Sequence, residues 1–119
     1  MRKVFICSAL RGDIQINIVK AMEYCRWAML THGVLPIAPH VYFTQFLDDD
    51  SPAERELGIS AGLELLRDCD EIWCFGDYVT EGMNREINMA LSLGIAVRVM
   101  DGKGINLNEK RRYPYEISF

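Results

Sequence analysis

The sequence is short of positive charge, of histidine and of long apolar runs. Its 119 residues carry 13 Lys+Arg against 17 Asp+Glu, a formal net charge of -4. That leaves no basic footprint for a polyanionic backbone, so a nucleic-acid polymer is not an expected partner. A small anion stays open, because a few placed donors suffice for one. No stretch approaches the roughly 18–20 apolar residues a membrane helix needs. The opening Met1-Arg2-Lys3-Val4-Phe5-Ile6-Cys7 is basic and then apolar, but its apolar run is too short for a signal peptide. A cytoplasmic protein with no membrane partner is the expectation. The two histidines, His32 and His40, and the four cysteines, Cys7, Cys25, Cys69 and Cys74, form no Cys-x-x-Cys pair and no ligand cluster. No metal site is expected, and the cysteines read as free, buried thiols. Repeats, low-complexity segments and linkers are absent too, and 50% of the residues are hydrophobic. One ordered domain over 1–119 follows.

What is present alternates between strand and helix. Lys3 to Ser8 is a short β-rich run. Asp13 can cap a helix from about Ile14 to Thr31, with Ile18, Ala21, Met22, Cys25, Ala28 and Met29 at helical spacing. Gly33 stops it as a left-handed cap. Val34 to Ala38 is a second strand, interrupted by Pro36, which suits an edge better than a centre. His40 to Asp50 reads as an aromatic loop with Tyr42, Phe43 and Phe46, closed by three aspartates. Ser51-Pro52-Ala53-Glu54 is a helix start, cap and first-turn proline included, and that helix runs to about Asp68. Ile72 to Phe75 is wholly apolar, hence a strand buried on both faces. Thr80 caps a third long helix, Gly94 ends it, and Ile95 to Met100 is a fourth strand. The tail from Asp101 is expected to add a fifth strand or to reach a neighbouring subunit. Strand–helix alternation with short apolar strands means a parallel sheet with helices on both faces. Ligands bind such sheets beyond the carboxyl ends of the strands. The residues of interest therefore belong to Ser8–Asp13, Pro39–Asp50 and Gly76–Thr80.

One carboxylate stands out. On a helical wheel Met83, Ile87, Ala90, Leu91 and Leu93 form an apolar face, and Asn84, Arg85, Asn88 and Ser92 the opposite one. Glu86 falls inside the apolar arc, a costly place unless it is paired or faces a cleft. Its side chain leans toward the helix start and so toward the ligand side of the sheet. A buried salt bridge or a rim position is the plainer alternative. Thr80-Glu81-Gly82 brings a helix N-terminus, whose free N–H groups attract anions; Gly82 permits close approach and Thr80 adds a hydroxyl. Ser8-Ala9-Leu10-Arg11-Gly12-Asp13 follows the first strand and offers Ser8 and Arg11 as donors. It matches neither the dinucleotide fingerprint nor the Walker A loop.

Together these segments resemble the nucleoside 2-deoxyribosyltransferase-like superfamily, which includes the 2'-deoxynucleoside 5'-phosphate N-hydrolases and small uncharacterised bacterial and phage members. The similarity runs to about Met100. It is most specific over Cys69-Asp70-Glu71-Ile72-Trp73-Cys74-Phe75 and Gly82-Met83-Asn84-Arg85-Glu86-Ile87-Asn88-Met89-Ala90. The resemblance implies a flavodoxin-like three-layer sandwich with a parallel sheet of four to five strands. It implies that Glu86 is the nucleophile in cleavage of an N-glycosidic bond, with hydrolysis favoured over base transfer. Ser8, Arg11 and Gly12 are similar to the Ser-x-Arg-Gly loop of the phosphate-dependent enzymes, with one residue more, and Thr80 stands where they hold a 5'-phosphate. Two departures are plain. Gly62 stands where the family carries an aspartate, for which Asp48, Asp49, Asp50 or Glu54 would have to substitute. Thr80 stands where the transferases carry another.

For such a reaction a carboxylate stabilises or attacks the anomeric carbon, and a second group serves the leaving base. Asp77, Asp48–Asp50 and His40 are candidates for that second role. His40 and Tyr42 are also candidates for contact with substrate, Tyr42 by stacking with Phe43 and Phe46 on a base, unless these rings are only a small cluster beneath the loop. No metal or organic cofactor is required. The partners expected are a nucleotide or nucleoside and further copies of the chain, as a dimer or higher oligomer. The alternative is a module that binds a nucleotide in the same pocket without turning it over.

Overall fold

The structure, a computed structural model, describes residues 1–100. The tail expected to form a fifth strand or an interface segment lies outside the described residues. Four strands, β1 (Lys3–Cys7), β2 (Leu35–Ile37), β3 (Glu71–Phe75) and β4 (Ala96–Met100), alternate with α1 (Ile14–His32), α2 (Pro39–Phe43), α3 (Pro52–Leu66) and α4 (Glu81–Ser92). The sheet is parallel throughout, in the order β2-β1-β3-β4. β2 is an edge strand, where Pro36 removes a ladder donor at least cost.

Alternation along the two central strands makes the layers. Val4 and Ile6 of β1 and Trp73 and Phe75 of β3 face α1, against Tyr24, Trp27 and Ala28. Phe5, Cys7, Ile72 and Cys74 face the other way, against Leu66 of α3 and Met83 and Ala90 of α4. Both faces are covered, which is why these strands read as unbroken apolar runs. Each fully buried Phe or Ile contributes roughly 1.5–3 kcal/mol.

The expected caps form. Asp13 accepts from the Ile16 amide at 3.2 Å, and Thr80 accepts from the Met83 amide at 3.2 Å. Gly33 adopts φ 65°, where a Cβ would be strained, and ends α1. Ser51 caps α3.

Three expectations need correction. Residues 39–43 are a short helix, not loop. Pro39 closes β2 and also opens α2, as proline at a first helical position can. On α1 the buried positions are Ala21, Glu23, Tyr24, Trp27 and Ala28, whereas Met22 and Met29 are exposed. The aromatic rings own that face: Tyr24 stacks on Phe75 at 4.3 Å between centroids, and Trp27 packs on Trp73 and Phe75. On α4, Met83 and Ala90 are buried but Leu91 and Leu93 are exposed. The apolar stripe is narrower than the wheel suggests.

At the amino end of the sheet Glu71 is buried, 7% exposed. Arg2 reaches it at 2.6 Å, Arg98 pairs with its other oxygen, and the Trp73 indole donates at 3.3 Å. Burial pushes its acidity the other way, but these donors outweigh burial and hold the carboxyl at about 2.

The cysteines are free thiols, Cys7, Cys69 and Cys74 buried and Cys25 partly so. Among the described residues no helix is long and apolar enough to cross a membrane, and no group of three or more His, Cys, Asp or Glu is placed to hold a metal ion.

Candidate functional site

The chain leaves β1 toward β2 on one side of the sheet and later crosses to β3 on the other. Strand order therefore reverses between β1 and β3, and a crevice opens beyond their carboxyl ends. A cavity of about 340 Å³ lies there, on the α3/α4 side. Its walls come from the loop after β1, from α2 and the segment behind it, from α3, and from the first turns of α4.

Glu86 is on that wall, half-buried. The salt bridge that was its plainer alternative does not form: among the described residues no Lys or Arg pairs with it. Burial pushes its carboxyl up to about 8, while the neighbouring Cys7 thiol works in the opposite direction. A cavity-facing carboxyl that burial pushes toward its protonated form is a candidate for the working group of a site.

Ser8, Arg11, His40, Thr80 and Gly82 share the wall with Glu86. Ser8 is buried, and its hydroxyl lies 3.0 Å from His40 Nε2. Burial lowers His40 to about 4, so the ring is neutral at ordinary pH. The histidine expected at the start of a loop is thus a neutral group on the cavity wall, carried there by α2. Thr80 accepts the helix-cap hydrogen bond through one lone pair, and a hydroxyl in that role still carries an O–H. Arg11 is engaged rather than free: its guanidinium meets the Asp49 carboxylate at 2.8 Å and the Asp49 carbonyl at 3.3 Å. An anion on Arg11 would have to compete with Asp49.

Three residues chosen from the sequence are not on this wall. Asp77 is exposed in a smaller cleft of about 70 Å³ on the α1 side, with Tyr24, Phe75 and Tyr78, because Gly76 at φ 106° turns the chain away after β3. Gly12 is exposed at φ 103° and shapes the loop instead. Tyr42 is 64% exposed and packs outward on Phe43 and Phe46, at 5.3 and 5.2 Å between centroids. Phe43 is the ring of that cluster that faces the cavity.

At Gly62 an added Cβ would meet the Pro39 ring at 3.5 Å. That is ordinary van der Waals contact, and Gly62 itself lines the cavity, at the position where the resemblance called for an aspartate. Of the four suggested substitutes, Asp49 and Glu54 reach the cavity and Asp48 and Asp50 do not. Arg55 and Asn17 escaped the sequence reading. Arg55 lines the cavity from α3. Asn17 donates to the Leu10 and Arg11 carbonyls at 3.0 and 3.1 Å and pins the loop that carries Arg11. An Asn in the first turn of a helix after a glycine loop was the available signal, since it can bond backwards to loop carbonyls.

No curated protein matches this chain by sequence. Among solved structures that match is a 2-deoxyribosyltransferase from the psychrotolerant bacterium Bacillus psychrosaccharolyticus. It is 19% identical with a TM-score of 0.64, and the match covers 92% of this chain and 80% of that one. At that identity the likeness shows the fold alone: the flavodoxin-like α/β architecture that the sequence led us to expect. The family profile described as a domain of unknown function, DUF7768, matches residues 2–100. By that match, which takes in all four strands and the whole cavity wall, the chain belongs to the DUF7768 family.

Proposed function

We propose that this domain binds a nucleoside or nucleotide in the cavity and cleaves its N-glycosidic bond, by hydrolysis in preference to base transfer. The observation that carries the reading is Glu86. It is an unpaired, half-buried carboxyl on the wall of the cavity at the strand-order switch. The deoxyribosyltransferase fold supports it. In this reading the Glu86 carboxylate attacks the anomeric carbon and the bond to the base breaks, its electron pair leaving on the base. Water then cleaves the glycosyl ester.

His40 takes the second role in place of Asp77. It is neutral, it faces the same cavity as Glu86, and Ser8 fixes its ring. It can hydrogen-bond the departing base without a charge to desolvate. His40→Ala is expected to lower kcat by roughly 10²-fold with little change in nucleoside binding. Calorimetry beside a base-release assay checks this, and an unchanged kcat would remove His40 from the chemistry.

The pH dependence follows from the two groups. Attack needs ionised Glu86, so kcat/KM for base release should climb with pH and level off above about 8. His40, at about 4, adds no fall in that range. A rate that declines between neutral pH and 8 would contradict the assignment.

The direct experiment is chromatography of released base after incubation with nucleosides, nucleoside 5'-monophosphates and NAD, with Glu86→Ala as control. Release that disappears in the control supports the enzyme. Gly62, where the resemblance called for an aspartate, favours a second reading, a binding module, and so does the burial that favours the protonated form of Glu86. Ligand-induced thermal stabilisation in both proteins without release would move the assignment there. The assembly is proposed to be a homo-oligomer, with the exposed Ile16, Val19, Met22 and Leu30 of α1 as the apolar surface to cover. Sedimentation velocity reads it, and a monomer at assay concentration would remove it.

A further inference from the structure

One cation on the cavity wall has no counter-ion. Arg55 closes the first turn of α3, its amide bonded to the Ser51 carbonyl at 2.8 Å. It shares a helix face with Gly58, Ile59 and Gly62, and that face lines the cavity. The sheet is parallel, so α3 runs from the carboxyl ends of the strands back to their amino ends. Arg55 therefore lies at the mouth of the cavity and Gly62 deeper. A pair between Glu56 and Arg85, at 3.0 Å, ties this turn to α4. The other charged groups at the mouth are turned elsewhere. Asp49 holds Arg11 at 2.8 Å. Glu54 accepts from the Asp48 amide at 3.1 Å. Glu81 is exposed on α4, four residues before Arg85 and on the same face. Among the described residues Arg55 takes part in no ion pair and no side-chain hydrogen bond.

We propose that Arg55 is a specificity residue of this cavity, and that the ligand carries an oxyanion for it, a phosphate on the sugar or a carboxylate on the base. This rests on the cavity being a nucleoside site. Arg55 is half-buried, and without a counter-ion its donors are left to water. A ligand that fills the cavity displaces that water and must replace its hydrogen bonds. The planar guanidinium fork takes two oxygens of a phosphate or a carboxylate at once. A neutral nucleoside leaves the charge desolvated and unmatched, so the site discriminates against it. Arg11, the cation that the sequence put forward, is the poorer anchor. An anion there has to displace Asp49, whose carboxylate and carbonyl both hold the guanidinium. At Arg55 an anion displaces no existing pair.

The test is titration calorimetry of the full chain with the common nucleosides, their 5'-monophosphates, and orotidine, a pyrimidine nucleoside with a carboxylate on its base. The parent is compared with Arg55→Gln, Arg55→Lys and Arg11→Gln. The parent should bind at least one anionic member roughly 10-fold tighter than its neutral counterpart. A monophosphate against its nucleoside reads the sugar phosphate, and orotidine against uridine reads the base carboxylate. Arg55→Gln should erase the gain, Arg55→Lys should restore part of it through charge alone, and Arg11→Gln should keep it. Equal affinity for neutral and anionic members in the parent would overturn the proposal. So would a gain that survives in Arg55→Gln, or one that Arg11→Gln loses as fully. If the parent binds no nucleoside and no nucleotide, the glycosidase reading fails by itself, and inorganic phosphate still decides Arg55. A saturable shift of the Arg55 Nε–H resonance, in the parent and in Arg11→Gln alike, supports the assignment. A resonance that phosphate leaves in place overturns it.

Discussion

Glu86→Gln should abolish base release and at the same time make the protein more stable. The first effect is the loss of the nucleophile, roughly 10³-fold or more in kcat. The second comes from linkage. Glu86 titrates at about 8 in the fold, against an ordinary 4.5. A carboxyl whose folded pKa is raised favours folding fully only below its unfolded pKa. That contribution is lost as pH rises from 4.5 through about 8. Near neutral pH the unfolded chain ionises this group freely and the folded chain resists it. The penalty is about 3 kcal/mol at neutral pH and grows to about 4 kcal/mol near pH 8. Glutamine keeps the shape and removes the charge. The variant should melt several degrees higher at about pH 8 and near the parent's temperature at about pH 5. Thermal denaturation at both pH values checks this. A variant that is less stable at the higher pH would mean that the Glu86 carboxylate holds the fold together, as a structural ion pair would.

Glu71→Gln should act in the opposite direction. Glu71 is the buried member of a cluster with Arg2, Arg98 and Trp73, and its carboxyl is held at about 2 against an ordinary 4.5. A depressed folded pKa stabilises above the unfolded pKa, and the stabilisation fades as pH falls from 4.5 toward about 2. The shift alone would correspond to about 3 kcal/mol. Both arginine side chains are 60% exposed, so water screens part of it, and about 2 kcal/mol is the expected loss at neutral pH. Urea denaturation should show the parent and the variant converging as the solution is acidified. A constant gap down to about pH 3 would assign the effect to packing around Trp73 instead. The two glutamates differ in what surrounds them: three donors for Glu71, a poorly hydrated cavity wall for Glu86.

The parts of the fold that local interactions decide were legible in the residues. The strands expected at Lys3 to Ser8, Ile72 to Phe75 and Ile95 to Met100 form within a residue of those limits. Ser51, Thr80, Asp13 and Gly33 cap as their side chains and backbone freedom require. Glu86 was visible because a charge in an apolar stripe is conspicuous at helical spacing. The short helix at Pro39–Phe43 was not, since five residues are too few to show a period. The apolar face of α1 was only partly placed: Ala21 and Ala28 are buried as expected, whereas the flexible Met22 and Met29 yield to Tyr24 and Trp27 when only one face can be buried.

Sequence alone determined the alternation of strand and helix, the layering it enforces, and the carboxyl that those layers leave at a cleft. These depend on periodicity, capping and burial, all of which act over a few residues. Tertiary structure alone decided which polar groups share that cleft with Glu86. Ser8 meets His40 across 32 positions of chain, Arg11 meets Asp49 across 38, and Cys7 reaches Met83 across 76. Asp77, only nine positions before Glu86, turns to the other side of the sheet. Contacts of that kind are set by strand order and by where each loop leaves its strand, and no local spacing encodes them.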